Sequence, residues 1–131
     1  MIHKTANLYG NGQFGDGTTI GAFCDIGSNI GNDCKLQCHV SIPPGWSIGS
    51  GVFFGPGCRL ANDKKPNARA LPFTWTGGGW IEDDVVIGMG ALIGGGVRLG
   101  KGCVIGMGAV VTKDVPAGEI WIGNPARKYE N

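Results

Sequence analysis

An aliphatic residue recurs every six positions, and this period limits the fold more than any other feature of the sequence. In the C-terminal half the period is filled without a miss, by Ile81, Ile87, Ile93, Leu99, Ile105 and Val111. A second small or β-branched residue stands four places after each, so every hexad offers two inward side chains separated by an outward one. Frequent glycines suit the turns between hexads. A chain that turns after every short strand wraps into a prism, and three hexads make one coil of a parallel β-helix.

The N-terminal half carries the same repeat in two phases. The first phase contains Leu8, Phe14, Ile20 and Ile26, and the second contains Ile30, Leu36, Ile42, Ile48, Phe54 and Leu60. The four-residue step from Ile26 to Ile30 predicts a two-residue deletion at one corner. Residues 61–80 keep no hexad phase, which predicts one long projecting loop. Antiparallel barrels and sandwiches place hairpins about 8 to 12 residues apart, a spacing that unbroken hexads do not fit.

The expected architecture is all-β: a single β-helix domain over 1–131, with about five to six coils, a loop at 61–80 and a C-terminal tail at 116–131. A net charge of +1 gives no strong field of either sign, which disfavours nucleic acid and membrane surfaces as partners. No apolar run approaches the roughly 20 residues of a membrane span, and no signal peptide is visible. We expect a cytoplasmic protein.

The five cysteines follow the same frame. Four of them fill the second inward slot of a hexad and are expected to be packed core thiols: Cys24, Cys34, Cys58 and Cys103. Neither a secreted context nor a Cys-x-x-Cys spacing points to disulfides or a metal, so no metal site is expected. Cys38 is off phase beside His39, a pairing that also suits a thiol nucleophile next to a base.

The hexads, the opening MIHKTA (1–6) and the ending GAVVTKDVPAGEIWIGNPARK (108–128) resemble the hexapeptide-repeat acyltransferases. The resemblance covers essentially the whole chain. It implies a left-handed helix, a hand that the spacing alone does not give, because crossovers between parallel strands are right-handed in about 98% of cases. It further implies acetyl-CoA as co-substrate and a homotrimer with active sites in the clefts between subunits.

The resemblance also assigns the acetyl-CoA site. Stacking at eighteen residues places Met89 under Met107 at an outward corner with flat glycines beside them, and related enzymes hold the pantetheine arm there. Thr112, Lys113 and Arg127 match positions that hold the anionic nucleotide end in that class. The alternative is that Lys113 and Arg127 are ordinary solvated charges.

The segment 51–66 resembles one in bacterial enzymes that N-acetylate nucleotide-linked 3-amino sugars. Asn62 and Asp63 thereby inherit the role of orienting a sugar amine, and the acceptor is expected to be a sugar or nucleotide-sugar. The same pair also suits an Asx turn that opens the loop. The chain departs from those enzymes at 43–45, where Pro-Pro-Gly replaces a segment with a carboxylate, and near Ile26, where one coil is absent.

A further departure is His39, which stands where those relatives commonly have asparagine. Many other hexapeptide acyltransferases use a histidine as general base, and histidine titrates near neutrality. His39 points outward from its corner and is our first candidate for the base, although it also suits a surface residue. Direct transfer from a thioester needs no covalent intermediate, so the thiol of Cys38 has no evident role in it.

Two other classes of function remain open at this point. A non-catalytic β-helix scaffold would show the same repeat, although it has no reason to keep the acetyl-CoA ending. A gamma-type carbonic anhydrase needs three histidines around zinc, and this chain has only His3 and His39. The loop aromatics Phe73, Trp75 and Trp80 are expected to pack on a neighbouring subunit.

Overall fold

The computed structural model describes residues 1–10, 12–69 and 77–130, and every regular element in those ranges is a short β-strand. In chain order these are β1 Asn7–Leu8, β2 Thr19–Ile20, β3 Asp25–Ile26, β4 Lys35–Leu36, β5 Ser41–Ile42, β6 Trp46–Ile48, β7 Phe53–Phe54, β8 Arg59–Leu60, β9 Gly79–Ile81, β10 Val86–Ile87, β11 Leu92–Ile93, β12 Arg98–Leu99, β13 Val104–Ile105, β14 Val110–Val111, β15 Ile120–Ile122 and β16 Arg127–Lys128. No helix in this part of the chain is long and apolar enough to cross a membrane.

The strands form the three faces of a prism. The seven-stranded face has the order β16-β15-β13-β10-β7-β4-β2, the six-stranded face β1-β3-β5-β8-β11-β14, and the three-stranded face β12-β9-β6. The described pairs are parallel except β15 with β16, an antiparallel hairpin that ends the helix. The chain folds as a left-handed parallel β-helix of about six turns, which confirms the predicted fold class.

Each turn of the helix passes three corners, which we name for residues that stand on them. The methionine corner joins the seven-stranded to the six-stranded face and carries Met89 and Met107. The loop corner joins the six-stranded to the three-stranded face and carries the insertion after Leu60. The aspartate corner returns the chain to the seven-stranded face and carries Asp83 and Asp84.

The register confirms the predicted two-residue deletion. A regular turn spans 18 residues, as in the hydrogen bond from Asn7 to Asp25. The turn that contains Ile26 to Ile30 spans only 16, and Ile30 forms a bridge with Phe14 on the third side of the prism. A second shortened turn of 16 residues occurs at the C-terminal end, where Val115 takes the place of a first-slot aliphatic residue and bridges to Leu99.

The core consists of the inward side chains of the hexads, stacked along the helix axis. Cys24, Cys34, Cys58 and Cys103 are buried and free, as the pattern predicted. Burial raises the pKa of the Cys58 thiol to about 12 and that of Cys103 to about 11. These thiols therefore stay protonated near neutral pH and contribute packing rather than nucleophiles.

The long insertion leaves and rejoins the helix at the loop corner. It ends earlier than the sequence suggested, because Gly78 already accepts a hydrogen bond from the Gly96 amide in the turn above. The assignment of Trp80 to the loop is corrected: Trp80 belongs to β9, where its indole faces outward beneath the Arg98 guanidinium, 4.7 Å from the ring centroid. Phe73 and Trp75, the other two aromatics assigned to this loop, lie outside the described residues.

Candidate functional site

Each turn of the helix crosses the methionine corner with three residues, such as Gly88-Met89-Gly90. The third corner residues of successive turns stack into one column. Phe23, His39, Gly57, Gly90 and Gly108 occupy it, and all five have a positive φ between 58° and 71°. From His39 upward, the amide of each column residue donates to the carbonyl of the second corner residue one turn below, for example Gly108 to Met89 at 2.8 Å. The prediction that Met89 lies directly under Met107 is confirmed.

The upper part of this column is open. A Cβ atom placed on Gly57, Gly90 or Gly108 would meet nothing within 4 Å. Met89 and Met107 flank these glycines and are 52% and 72% exposed. The three glycines therefore form a flat strip over three turns that is bordered by apolar side chains, a shape that fits a thin, neutral chain such as a pantetheine arm.

His39 lies in the same column, two turns below Met89. Its side chain is exposed, and its ring stacks on that of Phe23 with the centroids 5.3 Å apart and the planes inclined by 21°. Within the described ranges no hydrogen bond fixes the imidazole. Cys38 precedes it on the corner and is also exposed.

The loop corner holds the second group of predicted site residues. The Asn62 side-chain amide donates to the Pro44 carbonyl at 3.0 Å, a contact between successive turns and not a turn within the loop. Asp63 is exposed. Thr112 and Lys113 stand exposed on the same corner two turns higher.

The two groups lie on opposite edges of the six-stranded face. Five residues of nearly extended chain lead from His39 to Pro44, which Asn62 contacts, so His39 and Asn62 are separated by roughly 15 Å. A single chain therefore does not bring the predicted base together with the predicted acceptor-orienting pair. On the upper part of this face, next to the loop corner, lies a groove of about 290 Å³ lined mainly by apolar side chains, Leu92 and Val110 among them.

Arg127 lies at the start of β16, beyond the last full turn. The preceding residue, Ala126, donates its amide to the Val110 carbonyl, which places this segment at the methionine-corner edge of the six-stranded face. The Arg127 guanidinium is exposed and donates to the Ala126 carbonyl at 2.7 Å. Arg127, which pairs with Ile122 of the seven-stranded face, and Lys113 at the loop corner are thus two exposed cations at different corners of the prism.

One residue of this region was not identified from the sequence. Phe23 stands in a corner slot that three later turns fill with glycine. The aromatic residue in a glycine slot was visible in the hexad alignment and could have identified it. Among the residues that the structure describes, no group of three His, Cys, Asp or Glu side chains is arranged to hold a metal ion. His3 and His39 stand two turns apart, roughly 10 Å along the axis, and the Phe23 ring of the turn between them stacks on His39.

Comparisons with known proteins agree with this architecture. Residues 78–113 match the family described as bacterial transferase hexapeptide (six repeats). Over 69 residues the chain is 36% identical to the acyl-(acyl-carrier-protein)--UDP-N-acetylglucosamine O-acyltransferase of Brucella ovis, a match that covers 51% of this chain and 25% of that enzyme. The chain therefore carries the hexapeptide repeat that its sequence predicted.

Solved structures resemble the chain over nearly its whole length. WeeI from Acinetobacter baumannii has a TM-score of 0.79 at 31% identity, covering 96% of this chain and 56% of its own. A point mutant of perosamine N-acetyltransferase from Caulobacter crescentus, in complex with CoA and GDP-perosamine, has a TM-score of 0.83 at 23% identity, covering 99% and 56%. The acetyltransferase domain of PglB from Neisseria gonorrhoeae, in complex with acetyl coenzyme A, gives 0.79 at 22%, covering 98% and 56%. The chain thus spans about half the length of these structures and about a quarter of the curated enzyme.

Proposed function

We propose that this chain is an acetyl-CoA-dependent acyltransferase that acetylates an amino or hydroxyl group of a sugar or nucleotide-sugar. The observation that carries the proposal is the open glycine column of the methionine corner, which leads down to His39. Support also comes from the similar structures, whose descriptions name CoA, acetyl coenzyme A and GDP-perosamine as bound molecules. Five free cysteines suit a reducing, cytoplasmic location, where acetyl-CoA is also found.

The proposed site assigns a role to each group of residues. Met89, Met107 and the flat glycines hold the pantetheine arm, while Thr112, Lys113 and Arg127 hold the nucleotide end. The amides of Gly90 and Gly108 already donate to the turn below, so the arm contacts other backbone groups of the corner. Asn62 and Asp63 orient the acceptor.

The chemistry is a direct transfer with His39 as general base. The acceptor nitrogen or oxygen attacks the thioester carbonyl carbon while its proton moves to the His39 imidazole. The tetrahedral intermediate then expels the CoA thiolate, which takes up that proton, and the acetyl group stays on the acceptor. No covalent enzyme intermediate is formed, so Cys38 has no role in this scheme.

The site is completed by a second subunit in a homotrimer. Because His39 and Asn62 occupy opposite edges of one face, a cleft that joins the methionine corner of one subunit to the loop corner of the next unites them. Apolar side chains near the methionine corner remain exposed in the single chain, among them Val86 at 39% and Leu92 at 45%. Their burial against a neighbour would offset part of the cost of association.

Thermal shift with acetyl-CoA tests the first half of the proposal. A ligand that binds the folded protein and not the unfolded chain raises the free energy of unfolding by RT ln(1 + [L]/Kd), and the melting temperature rises with it. A melting temperature that ignores millimolar acetyl-CoA would contradict the proposal and favour a scaffold. Mass spectrometry of sugars and nucleotide-sugars incubated with acetyl-CoA and protein then identifies the acetylated acceptor.

Substitution of His39 tests the second half. His39→Ala should lower turnover by about 10²- to 10⁴-fold with acetyl-CoA affinity intact. Cys38→Ala is the matched control on the same corner and should keep full turnover. If Asp63→Asn is the damaging change and His39→Ala is mild, the base assignment is wrong and an amine acceptor oriented by Asn62 and Asp63 is favoured.

A further inference from the structure

Phe23 holds a backbone conformation that its side chain disfavours. Four non-glycine residues of the described chain have a positive φ, namely Phe23, Asp33, His39 and Asp84. Aspartate and histidine are enriched in this region, whereas a bulky aromatic residue there is an outlier. Such strain persists only where the surroundings enforce it, and it clusters at functional sites.

Burial does not explain the strain. The Phe23 side chain is 59% exposed, so it adds little to the hydrophobic core of its own chain. The backbone is held from both sides: the Phe23 amide donates to the Thr5 hydroxyl at 2.9 Å, and the His39 amide donates to the Ala22 carbonyl at 2.9 Å. These bonds hold the backbones of Phe23 and His39 one turn apart on the corner.

The described contact of the Phe23 ring is the imidazole of His39. The 5.3 Å stack with a 21° tilt keeps the imidazole roughly parallel to the phenyl ring. Since no hydrogen bond orients the imidazole in this part of the chain, the phenyl ring is what limits its rotation. Catalytic histidines gain rate from such restriction, because misoriented rotamers do not reach the acceptor proton.

We propose that Phe23 is a positioning residue that holds the His39 imidazole by ring stacking. The inference rests on the proposed role of His39 as the base. Phe23 is not among the residues assigned to acetyl-CoA, because the lowest of these on the column, Gly57, stands two turns above it. Its loss should therefore change turnover and leave acetyl-CoA affinity unchanged.

The first test separates stability from activity. Phe23→Gly gives this slot the residue that Gly57, Gly90 and Gly108 have, so the melting temperature should stay unchanged or rise by up to a few degrees. Turnover should fall by roughly two- to tenfold, the factor that a ring stack of this kind is worth. Asp84→Gly is the matched control, with a φ of 61° at the aspartate corner against 58° for Phe23, and it should leave turnover unchanged.

The second test is a double-mutant cycle. Phe23→Leu should lower turnover in the natural chain and have no effect in the His39→Ala background. Phe23→Tyr, which keeps an aromatic ring in this position, should have the turnover of the natural chain. Equal losses in both backgrounds, or no loss in either, would overturn the positioning role. Full turnover of His39→Ala alone would overturn the proposed base, which is a separate outcome.

A third readout does not depend on activity. In proton NMR the His39 ring signals should carry the ring-current shift of the stacked phenyl group, and this shift should vanish in Phe23→Leu and persist in Phe23→Tyr. His3, the other histidine, serves as the internal reference. Signals that do not move on loss of the phenyl ring would overturn the proposal irrespective of the enzymatic result.

Discussion

At the scale of single residues, two glycines have the same backbone but stand at different corners. Gly102 and Gly108 both have a φ of 70°, and a Cβ atom on either would meet nothing within 4 Å. Alanine at either position thus introduces the same left-handed strain without a clash. Only Gly108 belongs to the column that we assign to the pantetheine arm.

Gly108→Ala and Gly102→Ala should therefore lose similar stability, on the order of 1 kcal/mol each. Only Gly108→Ala should also weaken acetyl-CoA, because the new methyl group fills the open column. Urea denaturation measures the first effect and isothermal titration the second. Equal acetyl-CoA affinities of the two variants would place the arm elsewhere on the molecule.

The exposed cations permit a similar comparison. Lys113→Ala or Arg127→Ala should weaken acetyl-CoA by roughly 5- to 100-fold, the range of one charge-assisted contact to phosphate, with little change in turnover at saturation. Lys101→Ala removes an exposed lysine from the aspartate corner and serves as control. If affinity is the same in all three variants and indifferent to ionic strength, the nucleotide end binds elsewhere.

At the scale of strands and turns, the hexad period predicted the stacking of the helix in detail. Inward slots such as Phe54 and Ile87 became neighbours as expected, and the deletion at Ile26 appeared where the phase broke. The second shortened turn was missed because Val115 fits both inward slots of its hexad. Trp80 was wrongly assigned to the loop, because the period alone does not tell at which residue an insertion ends and the next strand begins. The start of that strand depends on its pairing with the turn below, which contains Trp46.

Trp46 anchors both ends of the insertion. Its indole is buried, its Nε1 donates to the Ala61 carbonyl at 3.0 Å, and a Cβ on Gly79 would lie 2.6 Å from its ring. Trp46→Phe should lower stability by about 0.5–1.5 kcal/mol through this hydrogen bond, with a further loss from packing. Trp80→Phe, on the exposed side of the neighbouring strand, should cost clearly less. Similar denaturation midpoints would contradict an anchoring role.

At the scale of the whole molecule, the candidate site could be predicted only as a set of residues and not as one place. Met89 and Met107 occupy equivalent hexad slots and His39 stands one place beyond the same slot in its own turn, so their common corner follows from the period. Asn62 was recognised by its motif, and a motif carries no information on whether its partner residues belong to the same chain. The roughly 15 Å that separates the two edges is a property of the prism's width.

This division gives a quantitative prediction for mixed assemblies. We expect His39→Ala and Asn62→Ala to be nearly inactive alone, because each removes one half of every cleft. Refolding or co-expressing the two variants in equal amounts combines the subunits at random. A cleft is intact when its methionine corner comes from the Asn62→Ala subunit, which keeps His39, and its loop corner from the His39→Ala subunit, which keeps Asn62. That combination makes up about one quarter of the clefts in a cyclic trimer.

Activity of the mixture should accordingly recover to about a quarter of the natural value, with the acetyl-CoA affinity of the natural protein. Mixing either variant with an equal amount of Cys38→Ala should give about half of the natural activity whether or not subunits exchange, and this mixture is the control for activity lost on refolding. A site contained within one subunit gives no recovery at all, because every chain in the mixture then lacks one of its own two residues. Light scattering on the same samples completes the test: a stable species near 13.6 kDa under active conditions would exclude the shared cleft.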